Sequence, residues 1–250
     1  MMNPAEFANI ARSEKDFWWY RGMRSILFRL MDPYMAGRTV RRALDAGCGT
    51  GYMAHVLASE RGWPMVALDL DREGLRYARL NCVERTVQGD MTRLPFAGGA
   101  FDVVMSLDAL VHIPQGEEST VVRELARVVT PGGLLVLRAA AFNALRSRHS
   151  AFVMETQRYS RAKLIKLVTD TGMRVLRCTY ANSLLLPLAL AKFRIWEPLR
   201  RAPVASGVEP VAPWLDRLLH APLAFEAGWL GSGHDLPLGQ TVVLVGEKAA

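Results

Sequence analysis

The stretch Ala43-Leu44-Asp45-Ala46-Gly47-Cys48-Gly49-Thr50-Gly51 decides how this chain is read. A short apolar run closes on Asp45, glycines follow at alternate positions, and a helix-forming segment opens at Tyr52. Strand, tight turn and helix start, in that order, bring main chain close to a nucleotide-like ligand in an α/β domain. Glycine suits the turn because a Cβ would obstruct the ligand or forbid the positive φ required. The spacing alone is equally that of an ordinary glycine-rich turn.

Four later segments sharpen it. Val66-Ala67-Leu68-Asp69-Leu70-Asp71 is an apolar run ending in acids, and Gln88-Gly89-Asp90-Met91 follows. Phe101-Asp102-Val103-Val104-Met105-Ser106 is a further strand, and residues 125–137, with Pro131-Gly132-Gly133, give a helix, a turn and a fifth strand. The ordered set, opening with D-x-G-C-G-T-G, resembles the class I S-adenosylmethionine-dependent methyltransferases, firmly over residues 40–140 and more loosely beyond. A dehydrogenase also uses a ribose acid, but G-x-G-x-x-G spacing is missing, since Tyr52 directly follows Gly51.

The resemblance implies S-adenosylmethionine as cofactor. Gly47, Cys48, Gly49 and Gly51 would bring backbone and a helix N-terminus to its amino-acid end, where partial positive charge favours a carboxylate. Asp45 would hold its ammonium, and Asp69 and Leu70 would meet the ribose. Asp90 and Met91 would flank adenine, with Ser106 beside the cofactor at the end of the fourth strand. On the acceptor side Asp108 and His112 stand four apart, as if facing one another on a helical turn. His112 is the general-base candidate because its ordinary pKa lies near neutrality. Tyr180 and His234 are weaker candidates. No metal-ligand spacing occurs.

Ahead of the core, Phe17-Trp18-Trp19-Tyr20-Arg21-Gly22-Met23-Arg24 puts four aromatics in a row, too many for one helix face. It resembles the tryptophan-pair segment of one methyltransferase subgroup, with Asp16 where that subgroup has histidine. The resemblance implies a lid, Tyr20 and Arg24 facing cofactor or substrate.

Residues 3–35 are expected to be helical, with helices at 52–61, 71–81, 117–129 and 160–171 and strands at 65–70, 86–88, 134–137, 175–180 and 240–247. Alternation of strands and helices predicts a Rossmann-like doubly wound α/β fold, a seven-stranded sheet that is mostly parallel. The resemblance places an antiparallel last strand between the fifth and sixth. The expected organisation is an N-terminal helical lid at 1–38, a core at 39–181, a helical cap insertion at 182–238 and a closing strand at 239–250. An unstructured loop of the insertion's length would be unusual, so it should carry helices and fold over the carboxyl ends of the strands.

Half of the 250 residues are hydrophobic, enough for a large core. Cys48, Cys82 and Cys178 are odd in number and widely spaced, which suggests reduced thiols in a cytoplasmic protein. Residues 1–20 lack an h-region, and the apolar run 184–191 is too short to span a bilayer. Net charge is +7, and residues 138–201 carry thirteen Lys or Arg against three acids. That concentration suggests an anionic partner, whether a lipid-linked or glycan-linked acceptor or a membrane surface touched peripherally. RNA methylation and a non-catalytic cofactor-binding membrane module are the alternatives. Nucleic acid is disfavoured by Ser-Leu-Asp-Ala at 106–109, where amino-methylating nucleic-acid enzymes carry a Pro-Pro motif. The apolar insertion would also serve a dimer.

Overall fold

The structure, a computed structural model, describes residues 2–200, 206–208 and 211–249, with main chain alone at Arg200. Its centre is a seven-stranded sheet in the order β3-β2-β1-β4-β5-β7-β6. The strands are β1 (Ala43–Ala46), β2 (Met65–Asp69), β3 (Thr86–Gln88), β4 (Phe101–Leu107), β5 (Val129–Ala140), β6 (Arg174–Ala181) and β7 (Thr241–Glu247). Pairings among β1 to β5 are parallel, and β7 runs antiparallel to both β5 and β6. The fold is the doubly wound one that the sequence predicts.

Strand side chains alternate between two faces, and two cores follow. Leu44, Val104, Leu135, Leu137 and Leu244 point to one. Helices α5 (Glu118–Val128) and α7 (Arg161–Thr169) cover that face through Val121, Leu125, Leu164 and Val168. Ala43, Val103, Met105, Val136 and Val243 point to the other. There α2 (Trp18–Met35) contributes Met23, Ile26, Leu27 and Leu30, and α3 (Tyr52–Arg61) Ala54 and Leu57. In chain order the outer strands β3 and β6 are preceded by α4 (Arg72–Leu80) and α7 respectively, and the short α6 (Arg148–Phe152) lies between β5 and α7. Strand order reverses between β1 and β4, so a crevice opens at their carboxyl ends, the usual ligand position in such sheets.

The N-terminal segment is helical as expected, in two helices, α1 (Pro4–Ser13) and α2. The chain turns at Glu14, whose buried carboxylate accepts from the Thr50 hydroxyl and, at 3.1 Å, from the Asn81 amide. Strand β5 starts at Val129, five residues early, because Gly132 N–H donates to the Lys248 carbonyl and Gly133 accepts from Lys248 N–H. The Pro-Gly-Gly turn is thereby absorbed as an irregularity of the strand.

A further departure concerns the insertion. Its second half is α10 (Pro213–Gly231), continuous through Pro222, and it packs beside α2 on a sheet face. Leu223, Ala227 and Leu230 share the core with Val136 and Val243. Arg21 on α2 pairs with Asp216 at 2.5 Å, which also accepts from Trp18 N–H at 2.9 Å. The first half is a helical run of α8 (Leu186–Ala191), a π-helical turn (Lys192–Trp196) and α9 (Glu197–Arg200). It crosses the segment after β5, where Arg194 Nε donates to the Ala144 carbonyl and Glu197 Oε2 accepts from Arg148 N–H. The insertion is therefore divided between the carboxyl edge and a sheet face. Pro203, Pro210 and Arg201 fall outside the described residues.

Candidate functional site

The loop after β1 is built from main-chain geometry. Gly47 and Cys48 N–H both donate to the Leu68 carbonyl, at 2.8 and 3.0 Å, which fastens the loop to β2. Gly47 has φ +74°, and a Cβ there would lie 2.3 Å from the Ala109 Cβ, so glycine alone fits between β1 and the end of β4. Gly49 has φ +54° and open space where its Cβ would be. Gly51 precedes α3, whose first turn has no side-chain cap, leaving its N–H groups available to an anionic ligand.

Asp69 closes β2 and organises this loop. Its Oδ2 accepts from Gly49 N–H at 2.8 Å and its Oδ1 from Asp71 N–H at 2.9 Å. Each oxygen keeps a second lone pair, so a pair of ribose hydroxyls can still be received. Burial raises its pKa, opposed by those two N–H bonds. Asp45, at the end of β1, is 2% exposed. Burial, then the Asp69 charge, pushes its pKa up to about 7, with Arg138 pulling the other way. Cys48 is held as the neutral thiol by burial and the same two acids. Open space at Gly49, spare Asp69 lone pairs, an uncapped helix start and an uncompensated Asp45 fit S-adenosylmethionine, a cation with an amino-acid tail and a ribose.

The other cofactor candidates scatter more. Met91 lies over the loop, 3.4 Å from where a Gly47 Cβ would be, with its sulfur 3.7 Å from the buried Ser106 hydroxyl. Asp90 is exposed and its Oδ1 accepts from Thr92 N–H, closing a turn. Leu70 is 46% exposed at the rim. Arg24 faces Tyr52 at the start of α3, with its Nη1 3.3 Å from the phenol oxygen and the guanidinium over the ring.

The expected pairing of Asp108 with His112 does not form. Asp108 ends β4 in the left-handed region, φ +60°, which costs a non-glycine residue roughly 1–3 kcal/mol. Its Oδ2 accepts from Arg138 Nε at 2.9 Å and Nη2 at 2.6 Å, and Asp108 N–H donates to the Arg138 carbonyl. The Arg138 guanidinium in turn lies 5.5 Å from the Trp19 ring centre. Asp108 is thus a positioning group for Arg138. His112 closes a short 3₁₀ turn, Leu110–His112, and its buried Nδ1 has no hydrogen-bond partner. Burial lowers its pKa, so the imidazole is neutral at pH 7.

Tyr20 sits at the other wall, 5.1 Å from Trp19 between ring centres. Burial and the carboxylates of Glu14, Glu6 and Asp108 push its phenol far above the usual range. It can donate a hydrogen bond but cannot serve as a phenolate base. Tyr180 accepts from Arg161 N–H and stacks on Phe142, and His234 stacks on Trp229 beside the Ser232 hydroxyl. Both have structural partners. Three further groups belong to the region without having been singled out in the sequence: Arg138, Glu14 and Glu6. Arg138 carried a signal, a charge directly following the apolar run 134–137; the glutamates carried none.

The basic excess also looks different once folded. Among the described residues, six cations of 138–201 pair with acids: Arg138, Arg158, Lys163, Lys166, Arg174 and Arg177. Four of those acids, Asp108, Glu118, Asp235 and Glu247, come from outside the stretch.

Residues 44–137 match the family described as Methyltransferase domain. The chain is 30% identical over 151 residues to a Pseudomonas aeruginosa ubiquinone biosynthesis O-methyltransferase, covering 54% of this chain and 64% of the relative. It is 34% identical over 111 residues to the Synechocystis 2-methyl-6-phytyl-1,4-hydroquinone methyltransferase, covering 43% and 33%. The chain therefore spans about a third to two thirds of these relatives' own lengths. The Haemonchus contortus phosphoethanolamine N-methyltransferase 2 in complex with S-adenosylmethionine shares the fold, with a TM-score of 0.59 at 16% identity over 93% of this chain and 53% of that one. The matched domain, these relatives and the shared fold together support a class I S-adenosylmethionine-dependent methyltransferase.

Proposed function

We propose that this chain transfers the methyl group of S-adenosylmethionine to a small, hydrophobic acceptor, through an oxygen, nitrogen or carbon atom. The observation that carries it is Asp69 joining the glycine loop to the end of β2 at the sheet's reversal point. The relative named as a ubiquinone biosynthesis O-methyltransferase favours an oxygen acceptor, and the one named for a phytyl hydroquinone favours a lipid-like molecule. Pairing of six cations of 138–201 with acids weakens the case for RNA as acceptor.

When bound, the cofactor supplies a methyl already attached to a good leaving group. The chain then has to orient the acceptor in line and exclude water. Trp19 and Tyr20, beside the Asp108–Arg138 pair, form one wall of that region. The neutral His112 imidazole is the group able to take an acceptor proton, a contribution of about 10²–10⁴-fold.

Titration calorimetry with S-adenosylmethionine, on the wild type and Asp69→Asn, tests the reading. Asn keeps the shape but replaces one acceptor oxygen by an amide, so binding should weaken by about 1–3 kcal/mol. Wild-type-like affinity in a variant of unchanged fold would remove Asp69 from the site and the reading with it.

A further inference from the structure

The insertion is apolar on its outer surface as well as its inner one. Along the helical run 186–200, Ala189 is buried and Phe193 and Glu197 are half-buried against the protein. Leu188, Ile195 and Leu199 face outward, at 56%, 60% and 76% exposure. Helix α10 repeats the pattern. Its inner side buries Leu223, Ala227 and Leu230, while Trp214, Leu218, Phe225 and Trp229 are exposed. Positions 214, 218, 225 and 229 return to one side of a helix, so they form a single stripe about 22 Å long at 1.5 Å per residue.

Charge on this surface has one sign. Glu197 is occupied by Arg148, Asp216 pairs with Arg21, and Glu226 is buried, accepting from Ser183 and Leu184 N–H at 2.7 Å each. Lys192, Arg194 and Arg217 are exposed. Among the described residues of these helices, every acid is turned inward and the cations flank the apolar faces. An exposed apolar face bordered by cations suits a helix lying in the headgroup region of a membrane, with long cationic side chains reaching the phosphates. No helix among the described residues is long and apolar enough to cross a bilayer. A second copy of the chain would bring the same cations against each other, which disfavours it.

We propose that the run 186–200 and the outer face of α10 form a docking surface for the interface of an anionic lipid bilayer. The proposal rests on the methyltransferase reading for its purpose, access to a lipid-dissolved acceptor, but vesicle binding can be measured without turnover. The full chain should co-sediment with phosphatidylcholine vesicles containing phosphatidylglycerol at least tenfold more tightly than with phosphatidylcholine alone. Lys192→Glu/Arg217→Glu should lose that preference, and Leu188→Glu/Ile195→Glu/Leu199→Glu should lose binding to both. If the triple variant fails to fold, Leu199→Glu alone, at the most exposed position, should weaken vesicle binding severalfold. Circular dichroism and the melting shift produced by S-adenosylmethionine should be unchanged. Cofactor binding without vesicle binding overturns this proposal and leaves the methyltransferase reading standing; vesicle binding without cofactor binding does the reverse. A concentration-dependent dimer that Ile195→Glu dissociates, with no vesicle binding, would assign the face to a second copy instead.

Discussion

The protonation state of Asp45 should set how tightly the chain holds its cofactor near neutral pH. Burial and the Asp69 charge raise its pKa to about 7 in the free chain. On the proposal that Asp45 receives the ammonium of S-adenosylmethionine, its carboxylate form is required and binding below pH 7 expels a proton. Affinity should then scale with the ionised fraction, and Kd should rise as 1 + 10 to the power of pKa minus pH. Between pH 7 and about pH 5.5 that is a roughly 16-fold loss, or about 1.6 kcal/mol. Calorimetry across this range in two buffers of different ionisation enthalpy would report both the affinity and the proton released. Asp45→Asn should bind weakly at all pH values and show a flat profile. A flat profile in the wild type, or the same slope in Asp45→Asn, would refute the assignment.

Asp45 gives an independent readout through stability. Its folded pKa of about 7 stands above the ordinary value of 3.8, opposite to a salt-bridged acid. The folded chain therefore holds a proton that the unfolded chain releases between those values. Stability from this group is fully present below about pH 4 and is lost as pH rises through 7, a change of about 4 kcal/mol at most. Asp45→Asn should accordingly melt above the wild type at pH 8, with the gap closing as pH falls towards 4.

Two further outcomes follow from the geometry. His112→Ala should lower kcat at least 100-fold while leaving cofactor affinity intact, and the wild-type acid limb of kcat/KM should lie below pH 6.5 because burial lowers the imidazole pKa; normal turnover, or a limb above 6.5, would count against the base. Gly22→Ala should cost about 1–3 kcal/mol, since its Cβ would lie 2.4 Å from Leu223 Cδ1 and force α10 off α2, and an unchanged denaturation midpoint would show that the two helices are not held by that contact.

The sheet was legible because its information is local. Apolar runs of strand length, closed by Asp45 and Asp69 and punctuated by glycine, sit within a few residues of the turns they form. What stayed illegible depends on partners far away in sequence. Glu14 reaches Thr50 and Asn81, 36 and 67 residues on, and no pattern near Glu14 announces a buried carboxylate. The cations of 138–201 looked free because Asp108, Glu118, Asp235 and Glu247 lie outside that window. The apolar periodicity of α10 was visible, but two apolar sides cannot say which one meets the sheet.

The same distinction explains why the cofactor half of the site can be traced and the acceptor half resists. A ribose and an amino-acid tail present fixed hydrogen-bonding groups, so the chain must answer with carboxylates and N–H groups at set distances. The Gly49–Asp69–Asp71 linkage has that form. The acceptor of an activated methyl needs only shape, orientation and dryness. In the proposed site those would come from packed aromatics such as Trp19 and from how α2 is fixed against α10, through Arg21–Asp216 and the close seat of Leu223 on Gly22. Any change that shifts α2 on α10 should therefore alter acceptor KM before it alters cofactor affinity, because Asp69 and the glycine loop are anchored to β2 and not to α2.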